Sequence, residues 1–179
     1  MRNKISVISI NLNNTDGLKS TIESIRNQNV QPFEYIVIDG GSNDDLTDLI
    51  NENSEFITKY ISENDNGIYD AMNKGASICN GEWIAFLNSG DIYYPNVVEE
   101  LSISLKESKF DFTIGSVDIF NNCGDKIFTK YPLLNKNGLL KLTEMPAAHL
   151  SIFVRKQLFE SLGGFNQDFS ISADYDFVS

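Results

Sequence analysis

Histidine occurs once and cysteine twice in this chain of 179 residues. Cys79 and Cys123 stand far apart and form no C-x-x-C pair, so neither a zinc site nor a disulfide framework has a foundation. A reducing, cytoplasmic setting is expected. Positive charge is also scarce: 14 Lys and Arg face 25 Asp and Glu, for a net charge of −11. No Lys/Arg cluster interrupts that balance, which makes long-range attraction to nucleic acid or to an anionic membrane unfavourable. No apolar run reaches the roughly 18 residues of a membrane span. The opening Met1-Arg2-Asn3-Lys4 leads into a strand-like segment and not a signal peptide. The chain is therefore expected to have no transmembrane segment, with a peripheral place at a membrane left open.

Several signatures of catalysis are missing as well. A Walker A loop and a G-x-G-x-x-G turn are both absent, which sets aside ATPases and simple dehydrogenases. A Ser-His-Asp hydrolase would need His149 to meet an exposed nucleophile, but there is no G-x-S-x-G elbow. A lone histidine beside apolar neighbours reads first as structural.

What is present is enough apolar material for one core: 41% of residues are hydrophobic and 22% charged, in the range of a single soluble domain. Ile5 to Ile10 is a short apolar run, followed by a polar turn and then Leu18, Ile22 and Ile25 at helical spacing. Tyr35 to Ile38 repeats the pattern, with a helix carrying Leu46, Leu49 and Ile50. Lys59 to Ser62 is a third strand, Ile68 to Ala76 a third helix, and Trp83 to Leu87 a fourth strand. Strands alternating with helices predict an α/β fold with a mostly parallel sheet. Beyond Pro95 a helix runs to about Lys106. The segments 110–120 and 126–131 then flank Asn121 to Asp125 as a hairpin, followed by a strand near Ser151 to Val154, a helix ending at Gly163-Gly164, and an acidic stretch from Ser172 to Asp176. Residues 1–179 thus read as one domain, with a half at 1–94 and a mixed half at 95–179.

In open α/β sheets ligands bind outside the carboxyl ends of the strands, and here each such end is polar. Strand one ends at Asn11 and Asn13, strand two at Asp39, strand three at Glu63 and Asp65, and strand four at Asn88 to Asp91. Polar loops are the ordinary expectation for any one of these. Four along one edge point to a ligand crevice.

Four segments carry a resemblance: Ile5 to Asn11, Ile36 to Ser42, Asp65 to Gly75, and Gly81 to Asp91. His149 to Arg155, Gly163 to Phe165 and Ala173 to Asp176 continue it. In this order they resemble the inverting family 2 glycosyltransferases with the GT-A fold. The resemblance implies transfer of a sugar from a nucleotide diphosphate donor, a UDP-hexose by first choice, to a glycan or lipid-linked acceptor in cell-surface polysaccharide synthesis. It implies a nucleotide-binding half at 1–94 and an acceptor-side half at 95–179.

By that resemblance Asp39 hydrogen-bonds a uracil, a role that suits a carboxylate facing an imide N–H, although an Asp can also cap the Gly40-Gly41 turn. Relatives commonly show Asp-Asp-Gly-Ser where this chain has Asp-Gly-Gly-Ser. Asn11, Asn13, Asp65, Asn66, Gly67 and Asn88 join the nucleotide side, with anions and ribose hydroxyls at the helix entrance. Lys74 either leans on a phosphate or is a solvated helix lysine. Asp91 is the carboxylate left of an acidic metal motif and would hold Mg²⁺ or Mn²⁺ together with the donor diphosphate; an N-cap role is its alternative. Asp174 matches the general base, with Asp176 as rival. His149 and Arg155 match positions bordering the acceptor or diphosphate. The absence of a following helix after Asp174 implies a truncated catalytic core. Two other classes remain: a nucleotide-binding module that has lost its chemistry, and a nucleotidyltransferase, which would usually show a Gly-rich, Lys/Arg-bearing first turn.

Overall fold

The first strand, β1 (Ile5–Asn11), is buried along its whole length. Strands covered on both faces need no polar alternation, because successive side chains enter two different cores. Ile5 and Val7 pack with Leu18, Ile22 and Ile25 of α1 (Thr15–Arg26). Ile8 and Ile10 enter the opposite core with Ala71, Met72 and Ala76 of α3 (Ile68–Ile78). The computed structural model that shows this describes residues 4–106, 110–133, 148–169 and 173–178.

Beside β1 lie β2 (Glu34–Asp39), β3 (Lys59–Ser62) and β4 (Trp83–Phe86), all parallel. The six-stranded sheet has the order β3-β2-β1-β4-β8-β5. Its last two strands, β5 (Phe112–Ile114) and β8 (Ile152–Arg155), are joined antiparallel. The helices α2 (Thr47–Glu52) and α4 (Val97–Ser104) lie on the α1 face, through Leu49, Ile50, Val98 and Leu101. The helices α5 (Lys156–Ser161) and α6 (Ala173–Val178) lie on the α3 face, through Phe159, Ala173 and Phe177. This is the α/β architecture expected from the alternating strands and helices. The chain winds outward from β1 through β2 to β3 and then crosses to β4 on the other side. That crossing makes the carboxyl ends of β1 and β4 the switch point where such sheets open a crevice.

The run 110–120, read as one arm of a hairpin, divides in two. Gly115 N donates to Ser151 O at 2.9 Å and closes the pairing of β5 with β8. Two residues later the chain leaves the sheet as β6 (Val117–Phe120), which among the described residues pairs only with β7 (Lys126–Lys130) around the expected turn. Tyr94 Oη donates to Asp118 Oδ2 at 2.7 Å and ties this hairpin to the loop beyond Asp91. The acidic stretch near the end is helical, as α6. Among the described residues no helix is long and apolar enough to cross a membrane.

At the amino edge of the sheet, Glu34 is buried beside its register partner Ser6, whose Oγ donates to Glu34 Oε1 at 2.7 Å. Gly81 N adds a bond at 3.1 Å, and the Asn80 backbone N–H adds another. Burial alone would raise this carboxyl, but these donors and the charge of Lys59 hold it below its ordinary range.

Close approach of α3 to the sheet depends on Gly75. A methyl group there would press into Ile8 and against Ile38. Gly75→Ala should therefore destabilise the fold by about 1–3 kcal/mol through overpacking. A thermal melt should show the midpoint falling by several degrees, and an unchanged midpoint would mean that α3 can shift freely.

Candidate active site

Asn11, Asp39 and Ser62 end three adjacent strands and share one rung of the sheet, Asn11 opposite Asp39 and Asp39 opposite Ser62. Their side chains meet. Asp39 is 1% exposed. Its Oδ1 accepts from Asn11 Nδ2 at 2.9 Å and from Ser42 Oγ at 2.5 Å. Its Oδ2 accepts from Ser42 N at 3.0 Å and from Ser62 Oγ at 2.7 Å. Burial pushes this carboxyl up, and the Ser42, Ser62 and Asn11 donors more than reverse the push, leaving it below the ordinary range. All of its usual acceptor directions are taken, so a base N–H can reach Asp39 only as Ser42 or Ser62 turns away. Ser42 was missed by sequence reasoning, although a Ser shortly after a strand-ending Asp is the pattern of a side chain closing its own turn.

The loop after β1 is stitched to its neighbours. Asn13, the one described non-glycine residue with positive φ (50°), accepts from Asn43 N at 2.7 Å. Asn14 caps α1 through Gly17 N at 3.1 Å and donates to Ser89 O at 3.1 Å. Asp44 Oδ2 takes the Thr15 backbone N–H at 3.0 Å. Asp65 lies over the Gly40 backbone, in space that a Cβ at residue 40 would fill, and its Oδ1 accepts from Gly67 N at 2.9 Å. The carboxylate missing from the Asp-Gly-Gly-Ser turn thus has another beside it. Asn66 N donates to Asp70 Oδ2 at 2.9 Å, and Gly67 caps α3. Lys74 is held by Glu63 at 3.0 Å and Asp70 at 3.3 Å, which raises its pKa and turns its charge toward its own turn.

Beyond β4, the loop Asn88 to Asp91 is pinned through its backbone. Thr21 Oγ1 donates to Asp91 O at 2.7 Å and receives Gly90 N at 3.0 Å. The Asp91 carboxyl itself has no hydrogen-bond or ion-pair partner among the described residues. Burial raises its pKa, with His149 acting in the opposite sense. Asn88 Oδ1 and Asn11 Oδ1 are buried acceptors without partners. Unmet acceptors at a switch point are what a ligand or its water would satisfy.

Asp174 comes to the same edge from α6. Tyr69 Oη donates to its Oδ1 at 3.0 Å, and His149 Nδ1 stands 3.7 Å from its Oδ2. His149 Nε2 lies 3.1 Å from Asn88 Nδ2. With that amide nitrogen facing it, Nε2 accepts and the proton of a neutral imidazole lies on Nδ1, toward Asp174. Asp176 lies farther along α6 and is exposed. Sequence reasoning gave Tyr69 no role.

Arg155 is not brought to that edge. It pairs with Trp83 at the start of β4, about 16 Å by strand rise from Asn88. There its guanidinium lies over the Trp83 ring at 4.7 Å and its Nε bonds Asp111 at 2.9 Å. Because β8 runs antiparallel, His149 before it and Arg155 at its end reach opposite edges. The structure thus places Arg155 at the edge away from Asn11, Asp39, Asn88 and His149.

Residues 6–163 match the glycosyl transferase family 2 domain. The chain belongs to that family. It is 32% identical to an uncharacterised glycosyltransferase of Mycobacterium tuberculosis, over 97% of this chain and 67% of that one. It is 29% identical to a PGL/p-HBAD biosynthesis glycosyltransferase of Mycobacterium bovis, over 96% of this chain and 67% of that one. Among solved structures, S. aureus TarS in complex with UDP superposes with a TM-score of 0.79 at 18% identity, over 98% of this chain and 54% of that one. A mannosyltransferase of Pyrobaculum calidifontis in complex with GDP-Man and Mn²⁺ gives 0.67 at 17%, over 98% and 51%. The chain spans about two thirds of the curated relatives and about half of these solved chains. The GT-A fold expected from the sequence is thus the fold observed.

Asp39→Asn should cost about 1–3 kcal/mol at neutral pH, because one buried acceptor becomes a donor facing donors. The folded carboxyl titrates below its unfolded value, so its contribution is present above pH ~4 and is lost as pH falls through the folded pKa. Urea denaturation at pH 7 and pH 3 should show the gap between wild type and variant shrinking at the lower pH. A constant gap would mean that the ionised form is not what the four donors stabilise.

Proposed function

We propose that this chain binds a nucleotide diphosphate sugar across the carboxyl ends of β1, β2 and β4 and transfers the sugar with inversion. The observation that carries this reading is convergence. Asp39, Asp65, Asp91 and Asp174 belong to different elements, and the links Asn88–His149 and Tyr69–Asp174 bring the last of them to the edge that holds the other three. TarS has been solved with UDP and with UDP-GlcNAc, which favours a UDP-hexose as donor. The PGL/p-HBAD relative supports a glycan or lipid-linked acceptor.

On this reading the turn Asp65 to Gly67 and the Asn11, Asn13 and Asp39 edge receive the nucleoside, with the Ser42 or Ser62 hydroxyl moving to admit the base. The Asp174 carboxylate accepts the acceptor hydroxyl proton as the acceptor oxygen bonds to C1. The bond from C1 to the diphosphate oxygen breaks with its electron pair, so the nucleoside diphosphate leaves as the anion. Asp91 suits a divalent cation: its carboxyl is half-buried and raised by burial, and Asn88 offers an unpartnered oxygen on the same loop. No group of three or more His, Cys, Asp and Glu converges among the described residues. That fits Mg²⁺ or Mn²⁺ held by one carboxylate and completed by water and diphosphate. A bound cation would neutralise the charge developing on the leaving diphosphate.

Calorimetry with UDP should find that Mn²⁺ strengthens binding to the wild type and not to Asp91→Ala. A variant that kept the full Mn²⁺ effect would place the cation elsewhere. Asp174→Asn should bind UDP normally and release it from UDP-glucose at least about 100-fold more slowly. Were the parent to bind UDP and release none from any donor, the chain would be a nucleotide-binding module.

A further inference from the structure

Tyr69 is the second residue of α3, two positions beyond the Gly67 cap. Its ring rests on Phe165 at 5.4 Å between centroids. Phe165 is in turn packed against Phe86, Phe159 and Phe177. That contact seats the half-buried ring of Tyr69 on a packed aromatic cluster, and its hydroxyl meets Asp174 Oδ1 at 3.0 Å. On the other side of the carboxylate, His149 Nδ1 lies 3.7 Å from Oδ2, an electrostatic distance and not a hydrogen bond. His149 is itself fixed by Asn88 at 3.1 Å. Asp174 borders a small apolar cavity with Phe86, Ile152, Val154 and Phe177. A carboxylate against such walls is oriented by its polar neighbours, and Tyr69 is one that bonds it directly.

We propose that Tyr69 is a positioning residue for the transfer reaction: it sets the orientation of Asp174 and joins it to the donor-binding turn. The next residue, Asp70, accepts from Asn66 N at 2.9 Å. One stretch of α3 therefore holds the turn that faces the nucleotide and, through Tyr69, the carboxylate that faces the acceptor. Occupation of Asp65 to Gly67 by a donor bears on the angle at which Asp174 is presented, which favours proton removal when donor is in place. His149 completes the clamp from the β4 side. The proposal rests on the reading of Asp174 as base.

The test uses Tyr69→Phe, which keeps the packed ring and removes only the hydroxyl, alongside Asp174→Asn and the double variant. The probe is UDP-glucose with Mn²⁺ and water as acceptor, with UDP release followed. Tyr69→Phe should lower kcat by about 10- to 100-fold, the scale of a misplaced reacting group, and leave KM and UDP affinity within about twofold of the parent. In the Asp174→Asn background it should have no further effect, because the two act as a unit. A readout that needs no turnover comes from His149, the one histidine of the chain. Its ring nitrogen NMR signals should move in both single variants, since each changes the carboxylate that the imidazole faces.

Unmoved ring signals in Tyr69→Phe, an unchanged kcat, or an effect retained in full in the Asp174→Asn background would overturn the positioning role. If instead Asp174→Asn released UDP at the parent rate while the ring signals still responded to Tyr69→Phe, the base reading would fail and the clamp would be purely structural. The two failures are therefore distinguishable.

Discussion

A carboxylate taken out of water must be met by donors or be given up, and at Asp39 the donors come from β1, from the end of β3 and from its own following turn. Because each comes from a different segment, the bonds hold the carboxyl ends of three strands in one rung and fix the path of the chain through Gly40 to Ser42. The rest of the edge follows from that path. Asp65 can lie over the Gly40 backbone only because the turn runs beneath it with no side chain in the way. The β1–α1 loop is tied to the same turn, where Asn13 N donates to Ser42 Oγ at 2.7 Å and Asn43 N donates to Asn13 Oδ1. An ionised group thus acts here as the corner of a frame, and its negative charge, already shared among four bonds, is a poor docking point for any further anion.

The two edges of the sheet contrast in how completely they satisfy themselves. At the amino edge, Glu34 is buried with donors from Ser6, Asn80 and Gly81, and Arg155 is spent on Trp83 and Asp111. At the carboxyl edge Asn11, Asp44 and Asn88 each keep a buried oxygen unmatched, and Asp91 keeps a carboxyl whose pKa burial has raised. Unmatched acceptors weaken a fold by themselves. They are tolerated where something else completes them, and the proposed donor and cation would do so at this edge.

The framework was legible because its causes are local. Apolar runs of strand length, each followed by a polar turn and a helical stripe, specify β1 through α3 almost to the residue. Asn11, Asp39 and Asp91 were legible as strand-end residues for the same reason. Three features were not. The split of 110–120 depends on Ser151, a partner distant in the chain, and no pattern within the segment announces it. The position of Arg155 depends on β8 being antiparallel, which residue type does not encode. The bond from Tyr69 to Asp174 spans most of the domain, and a tyrosine at a core-facing helical position gives no sign of where its hydroxyl ends. Sequence pattern shows which face a residue occupies, while its partner across the crevice is a property of the assembled fold. Residues 134–147, which carried no expected site residue, and Ser172, at the start of the acidic stretch, lie outside the described residues.

The antiparallel seat of β8 makes this strand a ruler between the two edges. Trp83 is opposite Arg155 and Ala85 opposite Phe153, so the spacing from His149 to Arg155 is matched to the length of β4. A strand cannot absorb an extra residue gradually: a slip of one position turns every side chain to the other face. Loss of one residue between Ser151 and Arg155 would leave a choice between two poor alignments. Either Val154 and Phe153 exchange cores while His149 stays beside Asn88, or the cores stay intact and the imidazole is drawn about 3 Å off its partner. Length variation in this part of the chain should therefore collect outside β8, where the hairpin and the connections around it can change size without altering the measure.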